Sequence, residues 1–143
     1  MIKIDKQDAP KYLLKPCKFT VHSSLSNNSY TYLIKNSKYK NVLNVYYVSR
    51  RPVFIGSYIV NDGYFSISRL EIHDCRLTKR SRAANIIFKN IKHLNDMDWL
   101  TVFVECKCQR CGRVINDLDS IERGYGRICY KKTMEEQNDK FNT

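Results

Sequence analysis

The stretch that decides the fold is NVLNVYYVSRRPVFIGSYIVNDGYFSIS, residues 41–68. It holds two runs rich in Val, Ile, Tyr and Phe, residues 41–50 and 52–60, parted by Arg50-Arg51-Pro52. β-Branched and aromatic side chains suit a pleated, half-buried surface, and Pro cannot donate to a ladder. The runs therefore read as two strands with a break between them. Asn61-Asp62-Gly63 follows, a tight-turn signal because Gly takes positive φ without steric cost. Tyr64 to Ser68 reads as the partner strand beyond that turn.

The same pattern extends upstream. CKFTVHS, from Cys17, alternates Cys17, Phe19 and Val21 against Lys18, Thr20 and His22. After a turn at Ser26-Asn27-Asn28 comes NSYTYLIK, rich in Tyr, Thr and Ile. Together these segments make an antiparallel meander of about four or five strands. Residues 1–16 read as an irregular lead-in, since Pro10 and Pro16 oppose any helix there.

Downstream the period changes. In SRAANIIFKNIKHLN, Ala83, Ala84, Ile87, Phe88, Ile91 and Leu94 recur at helical spacing, with Thr78 or Ser81 as the cap. Arg82, Lys89 and Lys92 fall on the opposite face. One amphipathic helix lying on the sheet is the simplest arrangement. MDWLTVFVE then predicts a last strand, Trp99 to Glu105, which leads directly into Cys106.

Six cysteines occur in the chain, and four lie in ECKCQRCGRVINDLDSIERGYGRIC, residues 105–129. Cys108-Gln109-Arg110-Cys111-Gly112 has the form of a zinc knuckle. Two thiolates three apart on a tight turn share one tetrahedral ion, and the Gly allows positive φ. Cys129 begins a helix, where the partial positive charge of the N-terminus favours a thiolate. This outline resembles a zinc ribbon or treble clef. A full treble clef would carry another cysteine where Lys132 stands. Cys106 fills the fourth place most economically, with His73, Cys75 and Cys17 as rivals. The expected site is thus Cys106, Cys108, Cys111 and Cys129 around one structural zinc. The predicted fold class is α+β: a meander with one helix over residues 1–105, then a small zinc-binding module over 106–143. No linker separates the two, so the module is expected to dock on the body.

RCGRVINDLDSIERGYGRIC also resembles a small, uncharacterised zinc-binding family of phage and prophage proteins. The matching positions are Cys108, Cys111, Gly112, Arg113, Ser120, Ile121, Glu122, Gly124, Gly126 and Cys129. Upstream, KFTV, YTYLIK, YYVS, IGSYIV and LTKRSRAA fall in that family's order, so the resemblance spans nearly the whole chain. The family often has a His shortly before its knuckle, where this chain reads VECKC; that favours Cys106 as the replacement. The resemblance implies no agreed activity. Small phage proteins of this kind are often counter-defence factors, and some zinc-containing ones look like anti-CRISPR proteins that bind the type II effector nuclease.

Composition narrows the function classes. The formal net charge is +11. Residues 1–105 carry 17 basic and 8 acidic side chains, and residues 106–143 carry 8 and 6, so the surplus sits on the body. A basic surplus favours DNA, RNA or an acidic protein face. It excludes an inhibitor that mimics DNA. The bias to Lys, Ile, Asn and Tyr, with 3 Ala, fits A/T-rich coding in a low-GC bacterium or its phage. No apolar run approaches the ~20 residues of a membrane span. The charged N-terminal stretch does not read as a signal peptide. The expected location is the bacterial cytoplasm, where clustered cysteines more often bind metal than form disulfides.

An enzyme is not expected. His22, His73 and His93 stand in separate segments, and no P-loop, GxSxG or HExxH motif occurs. No small-molecule substrate or membrane is implied. The two remaining readings are a protein-binding inhibitor of a host defence nuclease complex and a nucleic-acid-binding accessory protein. Both use the basic stretch Arg76, Lys79, Arg80, Arg82, Lys89 and Lys92; the inhibitor adds the knuckle tip at Gln109 and Arg110, and the nucleic-acid reading adds Arg110 and Arg113. Ten tyrosines offer stacking surfaces for the second reading, though most lie in strand patterns that suit packing.

Overall fold

In the computed structural model, which describes residues 1–142 and the side chains of residues 1–139, the meander forms as expected. A short strand β1 (Ile2–Lys3) and helix α1 (Ala9–Leu13) precede β2 (Cys17–Ser23). β3 (Ser29–Asn36), β4 (Val42–Val48), β5 (Pro52–Ile59) and β6 (Tyr64–Ile67) follow, each antiparallel to the one before. A small hairpin, β7 (Ile72–His73) and β8 (Arg76–Leu77), leads into helix α2 (Lys79–Lys89). The chain returns through β9 (Leu100–Lys107). The terminal module adds β10 (Val114–Ile115), α3 (Leu118–Arg123) and α4 (Arg127–Asn142).

The main sheet has the order β1-β9-β2-β3-β4-β5-β6, with β10 paired to the end of β9. The last long strand therefore crosses back beside the first strand of the meander. Alternation explains the register. Phe19 and Val21 face inward from β2, opposite Val104 and Val102 of β9. A slip of one residue would turn this whole set to solvent.

The core lies between the sheet and α2. Phe88 is the hub: its ring centroid lies 5.0 Å from Phe65, 5.2 Å from Tyr58 and 6.1 Å from Phe19. Ala84 and Ile87 of the same helix are buried with it, and so are Ile91 and Leu94 just past the end of the helix. Thr78 caps α2 by accepting the Ser81 N–H at 3.2 Å. Gly63 takes φ +61 in the turn that joins β5 to β6.

Three expectations are corrected. The lead-in is not irregular, because Pro10 sits in the first turn of α1, where its missing N–H costs nothing. The α2 helix ends at Lys89, and Leu94 is carried by a separate 3₁₀ turn. The last strand runs two residues past Glu105. Leu100, Val102, Val104 and Cys106 alternate inward along it, so strand geometry, not the knuckle, sets the direction of Cys106.

The module is docked on the body. The Lys15 ammonium donates to the Ile121 carbonyl and to the Glu122 carbonyl, the latter at 2.9 Å. Lys11 of α1 pairs with the Glu122 carboxylate at 3.5 Å. Ile121 is fully buried beneath these contacts. The segment read as loose lead-in thus fastens the C-terminal module in place.

Candidate metal centre and basic surface

The knuckle begins where β9 ends. The Cys108 N–H donates to the Arg113 carbonyl at 2.8 Å, and the Gly112 N–H to the Cys108 carbonyl at 2.9 Å. Gly112 closes this turn at φ +74, a conformation costly for any residue with a Cβ. β10 then pairs back on β9, and Asp117 caps α3 by accepting the Ser120 N–H at 3.0 Å. Gly124 ends α3 at φ +80 and returns the chain to the knuckle, where its carbonyl accepts the Gln109 N–H at 2.9 Å. Cys129 falls in the first turn of α4.

This path brings three thiols together. The sulfurs of Cys108, Cys111 and Cys129 all lie within 4.8 Å of one another. Among the described residues, no other His, Cys, Asp or Glu joins them. The surroundings fit a thiolate-bound cation. Burial alone pushes the Cys108 thiol up, but backbone N–H groups of Cys111, Gly126 and Arg110 point at its sulfur and bring it down to about 6. The Gly126 N–H is 3.3 Å away. Amides aimed at sulfur stabilise the anionic form that a metal requires. Cys129 is held above its ordinary value by a hydrogen bond with Cys111, by burial and by Cys108. A soft cation binding here would displace the protons that these hydrogen-bonded thiols share.

Cys106 departs from the expected set. Its inward direction on β9 places it in the core directly across from Cys17 of β2, one step beyond the Lys18–Glu105 pair. The two thiols hydrogen-bond each other, which with burial pushes Cys17 well up. The Cys106 sulfur also lies 3.9 Å from the Pro16 carbonyl oxygen. It is a core residue that packs with Cys17. Of the other rivals, Cys75 and His73 are exposed in the β7–β8 hairpin, and neither belongs to the cluster.

The basic residues separate into two groups. Arg80 is not available at the surface as expected. Its Nε and Nη2 donate to the buried Glu71 carboxylate at 2.6 and 2.8 Å, and its guanidinium lies 5.5 Å from the centre of the Tyr47 ring. Arg110 is likewise engaged, donating to both carboxylate oxygens of Glu136 at 2.6 and 3.0 Å and to the Thr133 hydroxyl at 3.2 Å. This pair ties the knuckle to α4. Gln109 leans on Gly124, so closely that a Cβ added there would lie 2.6 Å from its Nε2. Arg76, Lys79, Arg82, Lys89 and Lys92 are exposed.

Sequence reasoning missed Glu71, which reads as one more surface acid. It also missed Tyr30 and Trp99, which line a groove beside α2 together with Lys79 and Arg82. The sole tryptophan standing just before a strand was the available signal.

Fold and site thus define a small α+β protein with a three-cysteine cluster, able to hold a metal ion, fastened to one edge of its sheet. Residues 101–133, which span most of β9, the knuckle and the start of α4, match a family of unknown function (DUF6011). Neither the curated proteins nor the solved structures contain a match to the chain.

Proposed function

We propose that this chain is a zinc-stabilised protein that acts by binding and not by catalysis. Its role on this reading is an anti-defence inhibitor of the anti-CRISPR type, encoded by a phage or mobile element and working in the bacterial host cytoplasm. Zinc follows from the donors, because three thiolates on a knuckle and a helix start favour a soft, tetrahedral ion. With Cys106 in the core, the fourth ligand comes from outside the three. Three protein ligands are also the count that catalytic zinc keeps. No imidazole or carboxylate belongs to the cluster among the described residues, which supports a structural ion over a catalytic one. The ion's role is to join the knuckle to α4.

The observation that supports protein contact is an apolar surface beside the β6 edge. Leu70 is 82% exposed, and Tyr64 and Ile72 are also exposed. Tyr64, Ile72 and Lys89 line one cleft of about 450 Å3, with Arg69 and Arg76 exposed nearby in sequence. Exposed aromatic and aliphatic groups with arginines in the same segment suit a protein–protein contact. On this reading the contact centres on Tyr64, Leu70 and Ile72, with the expected Arg76 and Lys89 beside them in the proposal. No helix among the described residues is long and apolar enough to cross a membrane.

Two measurements test this reading. Elemental analysis should find about one zinc per chain, lost in Cys111→Ser and kept in Cys106→Ser. Affinity capture from low-GC host cells carrying a type II effector should retain the nuclease with the wild type and lose it with Leu70→Asp. Equal capture by Leu70→Asp, or none by the wild type, rules the docking surface out.

A further inference from the structure

One flank of α2 does not close onto the sheet. Between it and β2, β3 and the start of β9 lies a half-open groove of about 260 Å3. Buried Val21, Ile87 and Leu100 form its floor, and Tyr30 and Trp99, both only partly buried, line it. Lys79 and Arg82 stand exposed at its mouth, and among the described residues no acidic side chain lines it. Among the described residues neither cation has a carboxylate partner; the ion pairs are Lys11–Glu122, Arg80–Glu71 and Arg110–Glu136. Arg82 reaches only the Leu77 carbonyl, at 3.4 Å.

Two half-exposed rings beside two unpaired cations suit a flat π-system that carries an anion. The aromatic surface also continues past the groove. The Tyr30 and Tyr47 ring centroids are 6.3 Å apart, and Arg80 lies over Tyr47. Tyr30 and Tyr47 share the α2 side of the sheet, since Tyr30 pairs across from Val21 and Tyr47 from Tyr32. The rings therefore form a row across neighbouring strands. Sites for whole small ligands usually measure about 300–1,000 Å3, so this groove suits one ring system of a longer chain better than a complete ligand.

We propose that the groove takes an unpaired base of single-stranded nucleic acid. Trp99 and Tyr30 stack on the base, and Lys79 and Arg82 neutralise the flanking phosphates. A duplex keeps its bases stacked inside and cannot offer one to the groove. The site uses neither the thiol cluster nor the Leu70 surface, so it stands or falls apart from both.

Trp99 is the chain's only tryptophan and reports directly on the groove. The full chain is titrated with a short oligothymidylate, a duplex of equal length, thymidine monophosphate and oligoglutamate, following Trp99 emission. The oligothymidylate should quench it saturably, with affinity that falls as salt rises. Lys79→Gln, an exposed change that leaves the core intact, should weaken binding about three- to tenfold and lower the salt slope by about 1. Tyr30→Leu keeps the apolar bulk and should weaken binding by about fivefold to a hundredfold. Leu70→Asp should leave the quench unchanged. Absence of quenching, equal quenching by duplex or by the mononucleotide, quenching by oligoglutamate in place of the oligonucleotide, or wild-type affinity in both groove variants each overturns the proposal.

Discussion

Replacing Glu71 by Gln tests how the basic helix is held. Glu71 is 2% exposed, yet its carboxylate is charged and fully occupied. It accepts two hydrogen bonds from Arg80, one from the Ser81 hydroxyl at 2.8 Å and one from the Thr78 hydroxyl at 3.1 Å. The Arg80 hydrogen bond is the largest influence on its pKa. Burial opposes it, and Ser81, Thr78 and the Arg80 charge add to it, so the carboxyl falls from 4.5 to about 2. A folded-state value below the unfolded one means stability that is present above about pH 4.5 and is lost as pH falls toward 2. That displacement corresponds to roughly 3 kcal/mol at neutral pH, shrinking to about 1.5 kcal/mol at pH 3. Gln keeps the volume but offers one acceptor where two charged oxygens stood. Arg80 is 30% exposed and regains some hydration, which keeps the cost near the low end for a broken buried pair, about 3 kcal/mol. For a chain of this size the melting temperature at pH 7 should fall by about 10 °C. Thermal melts followed by circular dichroism at pH 7, 5 and 3 give the measurement. The gap between wild type and Glu71→Gln should narrow at pH 3. A melt within ~2 °C of wild type at pH 7, or a gap equally wide at pH 3, would refute the reasoning.

Phe88→Ala should cost about 3–5 kcal/mol in urea denaturation, because it removes the ring that joins α2 to Phe19, Tyr58 and Phe65. Gly124→Ala should cost about 1–2 kcal/mol from the φ of +80 alone and should speed metal loss to a chelator, since Gln109 must also move. Stripping the metal should raise hydrogen exchange in α3, α4 and the knuckle while β2 to β5 stay protected, because the module buries too little surface to hold its turns unaided. Cys111→Ser should reproduce that exchange pattern without chelator, and Cys106→Ser should not.

Local periodicity was enough to find the long strands and the covering helix, though not the short elements of the lead-in, the β7–β8 hairpin or α3. The strands from Cys17 to Ile67 and the apolar face of α2 were legible because burial on one side imposes period 2 or 3.6 on the residues themselves. Three of the four cysteines expected to bind metal do come together, since a knuckle sets two of them three positions apart and a helix start presents the third. Cys106 was misassigned by counting. Its neighbours in sequence belong to the thiol cluster, but the alternation from Leu100 through Val104 already pointed it inward, and Cys17 arrives opposite it from 89 positions away.

Sequence by itself determined the class of this protein: an antiparallel sheet, one covering helix, a cysteine module and a strongly basic surface. Tertiary structure alone decided which cations remain available. Arg80 is taken by Glu71 because the β7–β8 hairpin folds a carboxylate under the α2 N-terminus, and Arg110 is taken by Glu136 because α4 returns past the knuckle. Lys79 and Arg82 stay unpaired among the described residues, beside Tyr30 and Trp99, which are far apart in the chain and meet only through strand pairing. Charge and hydrophobicity are properties of residues and can be read in order. Pairing and exposure are properties of neighbours, and the neighbours that matter here come from distant segments.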